Sequence, residues 1–243
     1  MAGVVVLFDI GNCLYDPWRT FPRTMEAIGR ADLISPILER FGVYPDQPGR
    51  HDKLLQAFGM SAEEMAAYYH VFFHHPVFHR GVPEVLDRLR DKGAHLGVVS
   101  DGHFDTQLGK LEAWGLAAKF EPELTFIGSL ETDLTRRPGT YDRGIQLEAT
   151  KHDIATFQTI LAHIEKFCGA AAQSCFMVGD DFTRDALHPT RAGLNGVWCV
   201  ANEQARNTQP PDADVEAVQQ IESLTQMEAI IFPPDTGTAR SIA

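Results

Sequence analysis

Residues 4–14 read VVVLFDIGNCL, an apolar run that ends in a carboxylate and a turn. An uninterrupted apolar run of this length is typical of a strand buried on both faces of a parallel sheet. Asp9 follows the run directly, and Gly11 and Asn12 favour a turn. Open parallel sheets bind their ligands beyond the carboxyl ends of their strands. We therefore predict that Asp9 lies at a functional edge of the sheet, with a turn-capping aspartate as the plainer alternative.

The same order of elements recurs along the chain, because each apolar run is accompanied by turn residues and a helical pattern. The further runs occupy residues 94–99, 125–127, 176–178 and 197–200. Two of the helical patterns are predicted to end at Gly115 and Gly169. Alternation of strands and helices predicts an α/β fold with a parallel sheet.

Two stretches break this alternation. Residues 15–80 contain no β run but several helical clusters, and Ser61 and Glu64 have the spacing of a capping box. We predict a helical insert there. Residues 128–150 are polar and show no clear period, which predicts a long surface loop. The tail from residue 233 to residue 243 is predicted to be frayed.

Composition and charge limit the class of protein. With 44% hydrophobic and 22% charged residues among 243, the chain is expected to fold around a sizeable core. No apolar run approaches the roughly 18 residues that a membrane span needs. The formal net charge of −12, without a Lys/Arg run, argues against nucleic acid and membranes as partners. No signal peptide is recognisable, so we expect a cytoplasmic protein, and the oligomeric state stays open.

The cysteines show neither CxxC spacing nor a histidine pattern suited to zinc. They are Cys13, Cys168, Cys175 and Cys199. Because a disulfide framework is not suggested either, we expect reduced and mostly buried thiols.

Two later apolar runs also end in polar residues. Val99 is followed by Ser100-Asp101-Gly102, which offers a hydroxyl and turn amides, although a serine in this place is usually only a helix cap. Residues 179–185 read GDDFTRD and place three carboxylates close together. Carboxylates so crowded repel one another unless a hard cation lies among them. A metal site is therefore predicted there, with a solvated acidic turn as the alternative.

An aspartate after the first strand, a serine after the second, a lysine, and then a GD-x-x-x-x-D turn are the ordered motifs of the haloacid dehalogenase-like hydrolase superfamily. The chain resembles this superfamily over essentially its whole length. The resemblance implies a Rossmann-like core of residues 1–14 and 81–243 and an inserted helical cap domain of residues 15–80. It also implies an aspartate nucleophile, a Mg²⁺ cofactor and, usually, hydrolysis of a phosphoester.

The resemblance also implies a role for individual residues. The implied catalytic residues are Asp9, Ser100 and Lys151. The implied Mg²⁺ ligands are the carboxylates of Asp9 and Asp180, the backbone carbonyl of Gly11 and, through bound water, Asp185, with Asp181 as a further candidate. The substrate is expected to be a small phosphorylated metabolite that contacts Asp101 and Gly102. Apart from the resemblance, Arg19 near the entrance of the insert is a candidate for binding a substrate anion, with a solvated arginine as the plainer alternative.

Two residues compete for the role of the lysine. Arg137-Pro138 superficially resembles the Lys-Pro signature of the superfamily. Lys151 fits better, because its spacing to Asp180 and to Phe157 on the next amphipathic helix agrees with the superfamily. His152 stands where a proline usually follows that lysine. We therefore assign the role to Lys151.

The chain departs from the pattern at position 11. Phosphatases of the superfamily typically carry a second aspartate there as general acid and base, whereas this chain has Gly11. General acid–base help is commonly worth about 10²–10⁴-fold. Candidate substitutes lie in nearby loops and at the end of the helical insert. They are Asp16, Asp101, His103, Asp105, His70, His74 and His75.

Three hypotheses of function follow. The leading one is a Mg²⁺-dependent phosphatase that works through a phospho-aspartate at Asp9. The second, suggested by Gly11, is a catalytically attenuated relative that binds a phosphorylated ligand or partner. The third is a haloacid dehalogenase, which is disfavoured because that reaction needs no Mg²⁺ and the GD-rich turn is of the phosphatase kind.

Overall fold

The computed structural model describes residues 3–42, 51–128, 139–201 and 218–233. Within these ranges eight strands form one sheet. They are β1 (Val5–Phe8), β2 (His95–Asp101), β3 (Thr125–Gly128), β4 (Gly139–Tyr141), β5 (Gly144–Leu147), β6 (Cys175–Gly179), β7 (Asn195–Cys199) and β8 (Gln219–Ile221). Their order is β4-β5-β3-β2-β1-β6-β7-β8, and all neighbours are parallel except β4 and β5. The predicted α/β fold with a largely parallel sheet is confirmed.

Helices connect the strands. The α-helices of the described residues are α1 (Pro17–Ala27), α2 (Ile34–Phe41), α3 (Asp52–Ala57), α4 (Ala62–His74), α5 (Val82–Asp91), α6 (Phe104–Ala113), α7 (Ile154–Cys168), α8 (His188–Ala192) and α9 (Met227–Ile231). A π-helical turn, Phe182–Leu187, precedes α8. The longest helix, α7, ends where predicted, because Gly169 with a φ of 67° adopts the left-handed conformation that closes a helix.

Strand β1 lies at the centre of the sheet and is buried on both faces. Val6 and Phe8 belong to the larger apolar cluster, while Val5 and Leu7 belong to the cluster on the other face. All four side chains have no exposed surface. Burial of such a side chain stabilises the fold by about 1.5–3 kcal/mol. The burial of this strand therefore fixes the position of Asp9 at its carboxyl end.

The predicted helical insert is also present. Helices α1 to α4 lie between β1 and α5. Asp16 caps α1 by accepting a hydrogen bond from the backbone N–H of Arg19 at 3.0 Å. Ser61 and Glu64 form the predicted capping box at the start of α4.

The loop prediction for residues 128–150 was wrong in its second half. Residues 139–147 form the β4–β5 hairpin, and all residues of Gly144–Leu147 are buried. The strand is short and carries a glutamine, so it lacks a recognisable period. Gln146 is nevertheless buried, and its amide donates to the carbonyl of Ile127 at 3.4 Å. Arg137 and the tail beyond residue 233 lie outside the described residues.

No helix in the described ranges combines the length and the apolar character that a membrane crossing requires.

The four cysteines are free thiols, and three of them are buried, as predicted. Burial raises the pKa of Cys13, Cys175 and Cys199, so these thiols stay protonated and are poor nucleophiles.

Candidate active site

Three carboxylates meet at the carboxyl ends of two neighbouring strands. Asp9 follows β1 and Asp180 follows β6, and these strands pair in the register Phe8 to Val178. Asp185 comes from the π-helical turn after β6. One carboxylate oxygen from each residue lies within 4.8 Å of the other two. The predicted grouping of these three residues is therefore what the structure shows.

Lys151, which lies shortly before α7, reaches into the same cluster. Its Nζ donates to Asp9 Oδ1 and to Asp185 Oδ1, each at 2.6 Å. The Lys151 side chain is only 4% exposed. Burial alone would lower the pKa of this lysine, but attraction by Asp185 and Asp9 outweighs it and raises the pKa. The ammonium is therefore charged and occupied by two carboxylates.

Burial also acts on the carboxylates. It raises the pKa of Asp9 to about 6, with repulsion by Asp185 adding to the rise and Lys151 opposing it. The pKa of Asp180 is raised by burial and by repulsion from Asp185 and Asp9. Both pKa values are raised for the same reason. The site is poorly hydrated, and the single Lys151 ammonium does not neutralise its three carboxylates.

The turn after β6 holds Asp185 against the strand. Asp181 Oδ1 accepts from the backbone N–H of Arg184 at 2.8 Å, and the backbone N–H of Asp181 donates to Asp185 Oδ2 at 3.1 Å. Gly179 is required for this approach, because a Cβ at that position would lie 2.3 Å from an Asp185 oxygen. The GD pair of the motif therefore has a steric reason for its glycine.

The donor set suits a hard divalent cation. The Asp180 carboxylate accepts no hydrogen bond from any described residue, although it is partly buried beside two further carboxylates. Carboxylate oxygens in a compact group are the ligands that Mg²⁺ prefers. The residues present therefore fit such an ion.

The end of β2 lies in the same region. Ser100 is 2% exposed, and Gln107 donates from Nε2 to Ser100 Oγ at 3.2 Å and to the carbonyl of Asp101 at 2.8 Å. Asp101 Oδ1 accepts from the backbone N–H of Lys151 at 3.0 Å. Gly102 donates its N–H to the carbonyl of Gly128 at 3.2 Å. Asp101 therefore positions the lysine, while Ser100 presents its hydroxyl at the sheet edge.

Of two further predicted site residues, Gly11 lies beside the Asp9 carboxylate, whereas Arg19 does not contact the carboxylate cluster. A Cβ added to Gly11 would meet only Asp9 Oδ2, at 3.8 Å, so this glycine leaves open space beside the carboxylate. Arg19 is exposed on α1, and its side chain makes no hydrogen bond or ion pair with a described residue. The structure does not bring Arg19 into contact with the carboxylate cluster.

The candidate substitutes for the missing acid are mostly engaged elsewhere. Asp105 pairs with Arg143 at 3.3 Å on the surface. His70 and His74 lie on the exposed side of α4 and contact each other, with ring centroids 4.5 Å apart and the rings tilted by 36°. Asp101, as described above, binds the backbone of Lys151.

Sequence reasoning missed three residues that contact the site, and a fourth, His79, near the turn after β1. Gln107 holds Ser100, and His188 Nδ1 lies 3.1 Å from the carbonyl oxygen of Lys151. His79 is packed near the turn after β1, where its backbone N–H donates to the carbonyl of Leu14 at 3.3 Å. Arg184 could have been found, because it lies between two carboxylates of the GDDFTRD turn.

Comparison with solved structures identifies the fold. YfnB from Bacillus subtilis, described as a candidate HAD-hydrolase bound to magnesium, matches with a TM-score of 0.61 and 18% identity over 96% of this chain and 100% of that one. L-2-haloacid dehalogenase from Xanthobacter autotrophicus matches with a TM-score of 0.57 and 13% identity over 96% and 100%. A candidate phosphatase from Clostridium difficile gives 0.51 and 14% over 95% and 99%. No protein-family model matches the sequence, and neither does any curated protein.

Proposed function

This chain has the haloacid dehalogenase-like hydrolase fold, and on that premise we propose that it is a Mg²⁺-dependent phosphatase acting on small phosphorylated metabolites. The observation that carries the proposal is the cluster of Asp9, Lys151, Asp180 and Asp185 at one edge of the sheet. A buried carboxylate held by an ammonium beside two further carboxylates suits nucleophilic attack on a phosphoryl group.

Asp9 is the nucleophile in this proposal. Its Oδ1 is held by Lys151, whereas its Oδ2 accepts no hydrogen bond from a described residue and faces the open side at Gly11. Oδ2 attacks phosphorus, the bond from phosphorus to the leaving oxygen breaks, and a phospho-aspartate forms on Asp9. A water molecule then attacks the same phosphorus, the bond from phosphorus to Asp9 Oδ2 breaks, and inorganic phosphate leaves with the carboxylate restored. Because Gly11 carries no side chain to transfer a proton, the leaving oxygen takes its proton from solvent and the attacking water gives one to solvent.

Two side chains support the transferring group. Lys151 supplies a fixed positive charge beside Asp9, and Ser100 supplies a hydroxyl at the neighbouring strand end. Mg²⁺, when held by Asp9, Asp180, the carbonyl of Gly11 and, through water, Asp185, would neutralise negative charge on the phosphoryl oxygens. The residues of this chain then have the task of orienting the phosphoryl group and excluding competing water.

Helices α1 to α4 have a separate role in the proposal. They lie between β1 and α5 in the chain, so the insert begins shortly after Asp9 at the end of β1. We assign residues 15–80 to a cap domain that closes over the sheet edge and selects the substrate. Four free thiols agree with a reducing compartment such as the cytoplasm, where we place the protein.

Gly11 favours a second candidate function, a relative that binds a phosphorylated ligand without turning it over efficiently. The position that would hold the acid and base carries no side chain, Asp105 pairs with Arg143, and Asp101 binds the backbone of Lys151. The two candidates share the phosphate site and differ only in proton transfer.

Phosphate release from a panel of phosphorylated metabolites, with and without Mg²⁺, tests the proposal. We expect release by the wild type that requires Mg²⁺ and disappears in Asp9→Asn, which changes the nucleophile at almost constant shape. Asp91→Asn on the exposed end of α5 is the matched control and should keep the activity. Phosphate release by Asp9→Asn at the wild-type rate would refute the mechanism, and binding without release by the wild type would favour the second candidate.

A further inference from the structure

Arg184 lies inside the turn that carries the candidate metal ligands, one residue before Asp185. Its backbone N–H donates to Asp181 Oδ1 and its Nε donates to Asp181 Oδ2, both at 2.8 Å. One carboxylate therefore binds the backbone and the side chain of the same residue. This double contact restricts the rotamers of the arginine and sets the direction of its guanidinium.

Most donors of this guanidinium have no partner in the described part of the chain. Arginine has five side-chain N–H donors, and of these only the Nε–H of Arg184 makes a hydrogen bond there. Asp101 Oδ2 lies 3.7 Å from Nη1, a distance that permits attraction but is too long for a hydrogen bond. The side chain is 33% exposed. Its terminal nitrogens are thus preoriented and accessible to a ligand.

Arg184 also lies close to the reacting centre. It adjoins Asp185 in the chain, and Asp185 shares the Lys151 ammonium with Asp9, each at 2.6 Å. Asp101, which Arg184 approaches, directly follows Ser100 in β2. The other cation of the cluster, Lys151, is already shared by two carboxylates. In a chain with a net charge of −12, Arg184 is therefore a cation with donors to offer an anion near Asp9.

We propose that Arg184 binds a second anionic group of the substrate, a carboxylate or a further phosphate, while the phosphoryl group to be transferred lies at Asp9. The inference rests on the proposed phosphatase function and narrows its substrate class to small phosphorylated metabolites that carry another anionic group. The planar guanidinium suits this task because its two terminal nitrogens bind the two oxygens of one anionic group in parallel. Arg184 is a specificity-determining residue and does not take part in bond breaking.

Binding of unreactive phosphonates, measured by titration calorimetry with Mg²⁺ present, tests the inference without turnover. Methylphosphonate carries only the phosphoryl mimic, whereas phosphonoacetate and phosphonopropionate add a carboxylate at two different distances. We expect the wild type to bind at least one of the carboxylated probes about tenfold tighter than methylphosphonate. Arg184→Gln should lose this preference and keep its affinity for methylphosphonate. Arg90→Gln, an exposed arginine on α5, should retain the preference.

The possible outcomes distinguish failure of the Arg184 inference from failure of the proposed phosphate site. Equal binding of all three probes by the wild type would overturn the role of Arg184 alone, as would a preference that survives in Arg184→Gln. No binding of any probe by the wild type would overturn the phosphate site and this inference with it. If Arg184→Gln does not fold, Arg184→Lys provides the test. A lysine lacks the paired terminal nitrogens of the guanidinium and should reduce the preference for the carboxylated probe to about threefold. A preference as large as that of the wild type in Arg184→Lys would contradict the inference.

Discussion

Asp9 and Lys151 lie 142 positions apart in the chain, yet Lys151 Nζ and Asp9 Oδ1 are in contact at 2.6 Å in a buried environment. The contact joins the end of the central strand β1 to the segment before α7. Because Lys151 also binds Asp185, its ammonium holds together carboxylates that would otherwise repel one another. The lysine is therefore a stabilising element of the candidate site.

Replacement of this lysine should destabilise the fold in the absence of metal. Lys151→Met keeps much of the side-chain volume but leaves Asp9 and Asp185 buried without their common partner. Loss of one partner of a buried ion pair costs about 3–5 kcal/mol, and we expect a decrease of that size in the free energy of unfolding. Urea denaturation measures it. Lys166→Met, the same change on the exposed side of α7, is the control and should alter stability by less than about 0.5 kcal/mol. Similar stability of both variants would contradict the structural role of Lys151.

Mg²⁺ should stabilise the wild type by binding the native carboxylate cluster. At 100 times the dissociation constant, linkage adds about 2.7 kcal/mol, which corresponds to roughly 5–10 °C in the melting temperature of a chain of this size. Asp180→Asn removes a carboxylate that accepts no hydrogen bond from a described residue, and it should abolish most of the shift. Asp91→Asn should leave the shift unchanged. A melting temperature that does not respond to excess Mg²⁺, at constant ionic strength, would exclude the metal site.

Gly179 should be intolerant of even one added methyl group. A Cβ there would lie within 2.5 Å of three atoms of the Asp185 side chain, which is itself held by Lys151 and by the backbone of Asp181. Gly179→Ala should therefore displace Asp185, cost about 1–3 kcal/mol in stability and weaken the Mg²⁺-dependent rise in melting temperature. Gly109→Ala is the control, because a Cβ at this position on α6 meets no atom within 4 Å. Equal Mg²⁺ response in Gly179→Ala and wild type would show that Asp185 can move without consequence.

The parts of this site that sequence reasoning predicted share a simple physical origin. Asp9 and Asp180 each follow an apolar strand, and Ser100 lies at the end of one. Because strand ends of a parallel sheet converge at one edge, the proximity of these residues follows from local patterns. Lys151 needed the resemblance to a superfamily, because an isolated lysine before a helix carries no local signal. Its burial between two carboxylates is a property of the assembled fold.

The parts that were missed depend on contacts between distant segments. Gln107 matters because its amide reaches back to Ser100, and Arg184 matters because Asp181 directs its side chain toward the strand that ends in Asp101. Strand β5 was missed for a related reason, since a buried glutamine hides its period. A periodic pattern indicates which face of an element is apolar, but it does not predict which distant residue a polar side chain contacts.

His79 should make stability depend on pH. Burial lowers the pKa of His79 despite attraction by Asp16, and its Nε2 is buried without a hydrogen-bond partner among the described residues. The native protein therefore keeps this histidine neutral at a pH where the unfolded chain, with a histidine pKa of about 6.5, already binds a proton. The contribution of neutral His79 to the free energy of unfolding is therefore present above about pH 6.5 and is lost as the pH falls below that value.

Replacement of His79 tests the predicted direction of this pH dependence of stability. We expect the free energy of unfolding of His79→Gln to fall less steeply than that of the wild type between pH 7 and pH 5. His152→Gln, at an exposed position, should follow the wild-type curve. Parallel curves for His79→Gln and the wild type would show that burial of this histidine has no effect on proton binding.

Gly11 should make hydrolysis of the phospho-aspartate the slow step. With no acid and base at position 11, activated aryl phosphates should react far faster than alkyl phosphates, and rapid mixing should show a burst of leaving group followed by slow turnover. Gly11→Asp fits the available space, because a Cβ there meets only Asp9 Oδ2 at 3.8 Å and the backbone conformation is not left-handed.

The added carboxyl group should raise the steady rate by about 10²-fold or more, within the range that general acid–base catalysis commonly contributes. Gly11→Ala is the matched control, because it adds the same Cβ without the acid and should leave the steady rate low. Fast wild-type turnover without a burst would mean that another side chain already transfers the proton. Neither burst nor turnover with an activated aryl phosphate would favour a protein that binds its phosphorylated ligand without hydrolysing it.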